Sequence, residues 1–177
     1  EIMSSDWSSD VCSSDLNKAD WFGRYAESFD TVEVNNTFYN LPQAGTFDAW
    51  REAAPEGFLY TLKFSRYGTH MKKIKDPEGS IGMFLGRAER LGDRLGVILV
   101  QLPPNWRPDV DRLGAFLDRA PARRRWAVEF RDPAWLCEEV YGVLRDHNAA
   151  LCVHDMIPDH PREATADWVY LRFHGPS

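Results

Sequence analysis

The chain has 177 residues, 44% of them hydrophobic and 27% charged. That supplies one good core and excludes both a mainly disordered chain and two independent domains of ordinary size. The net charge is −6, but four of the 27 acids and none of the 21 bases lie in residues 1–16, so the remainder carries only −2 and its acidity says little about partners.

Residues 1–16 (EIMSSDWSSDVCSSDL) repeat Ser-Ser-Asp three times and fit neither strand nor amphipathic helix. They read as a non-native or disordered tail, and the domain is expected over residues 17–177. There the spacing of Trp21, Phe22, Tyr25 and Phe29 predicts a helix over 18–29, followed by a β-branched strand at 31–37 (TVEVNNT). A helix over 46–54 should stop before Pro55, and a strand follows at 59–65 (LYTLKFS). A glycine-bearing helix is expected at 77–91. The apolar run 96–102 (GVILVQL) reads as a parallel strand buried on both faces. Asp109 is placed to cap a helix reaching Ala120. Then come a strand at 125–130, a helix at 138–148, and strands at 150–155 and 168–174. Six strands alternating with helices predict an α/β fold with a parallel sheet, either a barrel or a doubly wound sheet. No Gly-rich nucleotide-binding pattern follows any strand.

The strands share a habit. Each begins apolar and ends on groups that are costly to bury: Glu33 and Asn35, Lys63, Gln101, Glu129 and Arg131, His154 and Asp155, Arg172 and His174. The i, i+2 pairs Glu33/Asn35, Glu129/Arg131 and Arg172/His174 lie on one side of their strands. In a barrel, such groups converge on the face where ligands bind. The alternative is a layer of salt bridges that satisfies itself.

Five ordered motifs carry a resemblance: Glu33-Val-Asn-Asn-Thr-Phe-Tyr39, Lys63-Phe-Ser-Arg66 with Thr69-His70, Val100-Gln-Leu-Pro-Pro104, Ala127-Val-Glu-Phe-Arg131 with Trp135, and Leu171-Arg-Phe-His-Gly175. Over residues 17–177 the chain resembles the YecE-like proteins, domain-of-unknown-function family 72. The resemblance implies a (β/α)8 TIM-barrel-like fold, incomplete here: about six of eight strands, the first and last being absent. It implies no reaction, because the family has none assigned.

The residues themselves define candidate roles. Glu33 and Glu129 are candidate acid/base or nucleophilic carboxylates, and His70, in the loop after a strand, is a third catalytic candidate. Lys63, Arg131 and Arg172 suit a phosphate or carboxylate, Asn35 and Gln101 suit hydroxyls, His174 completes the polar face, and Trp135 offers a stacking wall. No metal-ligand spacing stands out, and neither metal nor cofactor is expected. The small odd number of cysteines and the lack of a leader or membrane-length apolar run point to a cytoplasmic protein without membrane association. The expected partner is an anionic or hydroxylated small molecule such as a sugar or phosphosugar, acted on by a hydrolase- or isomerase-like enzyme or simply bound. The alternative is a nucleic-acid binding or processing protein, with Trp135 or Tyr39 stacking on bases.

Overall fold

Each apolar run that ends in a polar residue becomes a strand. The computed structural model describes residues 21–175, so the Ser-Ser-Asp stretch lies outside the described residues. The strands are β1 (Thr31–Val34), β2 (Leu59–Lys63), β3 (Leu95–Gln101), β4 (Arg125–Glu129), β5 (Ala150–His154) and β6 (Tyr170–Arg172). They pair in parallel in their sequence order. In a flat sheet, β1 and β6 would be separated by about 24 Å, five spacings of roughly 4.8 Å. Instead the Tyr170 hydroxyl on β6 donates to Glu33 Oε2 on β1 at 2.7 Å. The sheet is therefore strongly curled, a half-barrel that matches six strands of a TIM-barrel-like fold.

The helices are α1 (Trp21–Ala26), α2 (Asn36–Tyr39), α3 (Ala44–Ala53), α4 (Pro77–Ala88), α5 (Val110–Leu117) and α6 (Glu138–Asp146). Side-chain alternation along the strands divides the core in two. Tyr60, Leu62, Ile98, Val100, Trp126, Val128 and Leu151 face outward and pack with Phe47 and Trp50 of α3, Phe84 of α4, Phe116 of α5 and Leu144 of α6. Each such large side chain contributes about 1.5–3 kcal/mol on burial. The concave side holds a smaller apolar floor of Leu99, Ala127, Ala150 and Cys152. The next inward positions toward the strand ends are the polar ones.

The Asp109 side chain caps α5 by accepting from the Arg112 amide at 3.2 Å, and α3 gives way at Ala54 before Pro55, both as expected. The strand expected at 31–37 ends early. Asn35 adopts helical backbone angles and α2 follows at once. The cause is Thr37, whose buried hydroxyl lies 3.0 Å from the Val34 carbonyl oxygen and 2.8 Å from that of Lys63, tying the ends of β1 and β2 together. The helix expected over 77–91 stops at Ala88 and continues as a 3-10 turn to Arg94, broken at Gly92 with φ 61°. A π-helical turn, Tyr67–Met71, is an addition that the sequence pattern did not predict. No helix among the described residues is long and apolar enough to cross a membrane.

Candidate functional site

The inward-facing ends of the strands bring Glu33, Asn35, Lys63, Gln101, Glu129, Arg131, Arg172 and His174 to one concave face. Arg172 is its hub. Its guanidinium grips Glu33 through Nε at 3.0 Å and Nη2 at 2.8 Å, and Glu129 through Nη1 at 3.1 Å. It also reaches Asn35 Oδ1 at 3.3 Å and His174 Nε2 at 2.8 Å. Arg131 forms an ion pair with Glu129 through Nε without hydrogen-bond alignment, and its Nη2 lies 3.3 Å from Gln101 Oε1 and 3.2 Å from His174 Nε2. Guanidinium groups only donate, so His174 accepts at Nε2; this network assigns its proton to Nδ1, 2.9 Å from Asp155 Oδ1. That hydrogen bond holds the Asp155 carboxyl below its ordinary range.

These contacts settle where the charge goes. Glu33 and Glu129 are consumed by Arg172 and Arg131, and Glu129 is fully buried. Asp155 is taken up by His174, and the strand-end cation left without an ion pair among the described residues is Lys63. Its side chain is 8% exposed. Its ammonium lies 4.5 Å from the centroid of the Phe38 ring, with no ion pair or hydrogen bond among the described residues. Burial, then the positive field of Arg172, lowers its pKa against the pull of Glu129 and Glu33.

His70 shares the Phe38 ring, packing edge to face at 5.0 Å between centroids. Its Nδ1 is 2.9 Å from the Thr69 hydroxyl, which in turn donates to the Ser65 carbonyl at 3.0 Å. Burial, followed by the charges of Lys63 and Arg66, pushes the His70 pKa below 6.5, so the ring is neutral near neutral pH. Cys152 sits beneath the cluster with Sγ 3.9 Å from Glu129 Oε2, and burial raises its thiol pKa, keeping it protonated. A concave trough of about 590 Å³ runs along the inside of the sheet, from Thr31, Leu59 and Arg125 at the strand starts to Glu33, Asn35, Arg172 and His174 at their ends. Lys63 follows Thr61 by two residues on the same side of β2 and lies beyond the residues that line the trough.

Two expectations change. Trp135 is fully buried on the convex side, stacked on Phe130 at 5.0 Å with its indole N–H on the Trp106 carbonyl; it is core and presents no wall to the trough. Glu129, expected among catalytic carboxylates, is sealed under two arginines and has no surface to offer a ligand. His154 faces inward, but both of its nitrogens are occupied: Nε2 donates to the Phe130 carbonyl at 2.9 Å and Nδ1 accepts from the Met156 amide at 3.2 Å. Among the described residues, no group of three His, Cys, Asp or Glu side chains converges as a metal site requires.

The sequence carries one further basic feature. Four of the chain's five lysines lie between residues 63 and 75, where Lys63, Arg66, Lys72, Lys73 and Lys75 meet no acid. The segment includes the π-helical turn and two consecutive residues with positive φ, Lys73 at 47° and Ile74 at 53°. Positive φ is rare for a β-branched residue, and such strain clusters at functional sites.

Comparisons place this geometry in a family. A solved structure of a DUF72 family protein from Thermotoga maritima is 28% identical and superposes with a TM-score of 0.74 over 91% of this chain and 66% of its own. A DUF72 family protein from Enterococcus faecalis is 21% identical with a TM-score of 0.75, over 89% of this chain and 70% of its own, and supports the fold alone. The chain thus spans about two thirds of the length of these relatives. Curated proteins give no match. The family model described as "Protein of unknown function DUF72" matches residues 3–177, and the chain belongs to that family.

Proposed function

We propose that the concave face is the site of a small-molecule enzyme or binding protein whose ligand is an anionic, hydroxylated compound of sugar-phosphate type. One observation carries this reading: Lys63, a residue only 8% exposed, has no ion pair or hydrogen bond to its ammonium among the described residues, while the two carboxylates of the same face are neutralised by arginines. Leaving a buried charge unpaired costs several kcal/mol, and a bound anion would offset that cost. Asn35 and Tyr170 line the trough with groups suited to hydroxyls, and Gln101 stands beside Arg131 on the same face. Glu33 and Glu129 act by fixing Arg172 and Arg131, and His70 is the proton-transfer group next to Lys63.

The test is a thermal-shift series with inorganic phosphate, sugar phosphates and the corresponding neutral sugars, on the wild type and on Lys63→Met. Stabilisation by phosphate-bearing compounds that Lys63→Met abolishes supports the reading. Equal responses in both proteins, or none in either, contradict it.

A single-stranded nucleic acid is the second reading. It is favoured by the acid-free basic segment 63–75 beside two exposed tyrosines, Tyr67 and Tyr39, a pairing of cations with stacking surfaces. The two readings separate on salt: a nucleic acid loses affinity with a log–log slope of about −0.7 per phosphate neutralised, and a small phosphosugar loses far less.

A further inference from the structure

We propose that Lys63 is a nucleophile, forming a Schiff base with the carbonyl carbon of a small phosphorylated aldehyde or ketone while His70 carries the proton. This deepens the reading above and rests on it.

The geometry separates Lys63 from an ordinary structural lysine. A buried lysine normally holds a carboxylate, yet Glu33 and Glu129 are both committed to arginines, and the ammonium has only the face of Phe38 beneath it. Two fixed guanidinium groups stand on the same concave face. Desolvation combined with neighbouring positive charge is the arrangement that frees a lysine amine for attack, and both act on Lys63 in the direction of deprotonation. A proton acceptor is present. His70 packs against the same Phe38 ring, oriented by Thr69 and neutral near neutral pH. The substrate's anionic arm has a receiver as well in Arg66, three residues after Lys63. Arg66 is close enough to act on His70.

The step balances. The Lys63 ammonium passes one proton to His70. The free Nζ pair then adds to the carbonyl carbon, and the C=O π pair moves to oxygen. A proton passes from nitrogen to that oxygen, giving a neutral carbinolamine. His70 returns its proton to the hydroxyl, the C–O bond breaks with loss of water, and the nitrogen pair closes the C=N bond. Ammonium and carbonyl compound have become iminium and water, with His70 regenerated and no oxidant or reductant required.

The experiment is reductive trapping of the full chain. Glyceraldehyde 3-phosphate, or glyceraldehyde as the phosphate-free control, is incubated at pH 7 with cyanoborohydride, and adducts are located by peptide mass mapping. The exposed Lys72, Lys73 and Lys75 serve as internal references. The expected result is an adduct on Lys63 formed faster than on the reference lysines, since a lowered pKa leaves more free amine at pH 7. The phosphate-bearing probe should react faster than its control, and His70→Asn should slow trapping and remove its pH dependence near neutrality. Lys63→Arg should lose the adduct. Absence of a Lys63 adduct, or labelling no faster than at the reference lysines, overturns the proposal. If phosphate still stabilises the wild type and not Lys63→Met, the anion-site reading survives that failure; if it stabilises neither, both fall.

Discussion

At the scale of single residues, Arg172 and Glu129 carry the most risk. One guanidinium holds two carboxylates, one of them fully buried, so removing it strands negative charge. Arg172→Met should cost about 3–5 kcal/mol in urea unfolding, the cost of breaking a buried pair from one side. Arg172→Lys should recover little of it, because an ammonium cannot match the fork that spans both glutamates. A loss within about 0.5 kcal/mol, the scatter of ordinary surface changes, would show that the network is not structural. His154 gives a pH prediction. Burial, which outweighs its bond to the Phe130 carbonyl, lowers its pKa below 6.5. The unfolded chain then binds more protons between that folded value and 6.5, so this contribution grows as pH rises through the window and fades on acidification. His154→Gln should therefore cost about 1–3 kcal/mol at pH 7.5 through unsatisfied partners, and clearly less at pH 5. A pH-independent difference between the two proteins would contradict this assignment. The candidate residues were legible because a charge at the end of an apolar run is expensive, and eight of them do share one face. Trp135 was not, because the sequence cannot tell which side of Phe130 its chain turns to.

At the scale of elements, strand order and the inward or outward fate of each strand residue followed from a period of two. Failures came where a side chain, not the pattern, ends an element. Thr37 converts the end of an expected strand into α2, and Gly92 breaks an expected helix. The π-helical turn Tyr67–Met71 had no periodic signal at all. Its tight seat is visible at Gly68, where an added Cβ would lie 2.5 Å from Phe64 Cε1 and 3.2 Å from Ser80 Cβ. Gly68→Ala should destabilise the chain by about 1–3 kcal/mol, the usual range for overpacking. It should also weaken the thermal response to phosphate, because the displaced turn carries His70 away from Phe38. Unchanged stability and response would mean that the turn has room to spare and does not position the site.

At the scale of the whole molecule, the half-barrel gathers the charges of a nearly balanced domain on one face. Curling brings β1 against β6, lets Glu33 reach Arg172 across the concave side, and leaves one buried cation without a partner. The fold class was readable from six alternating strands and five motifs. The charge balance was not, since it depends on which arginine takes which glutamate. The central claim is that Lys63 is the spare cation of this face and answers to an anion. Its most direct measurement is an NMR titration of the lysine side-chain Cε and Nζ signals, assigned by comparison with Lys63→Arg and recorded with and without inorganic phosphate. Lys63 is expected to titrate below the ordinary lysine range, and its signals to shift saturably with phosphate while its pKa rises. A Lys63 that titrates in the ordinary lysine range and ignores phosphate would contradict the claim.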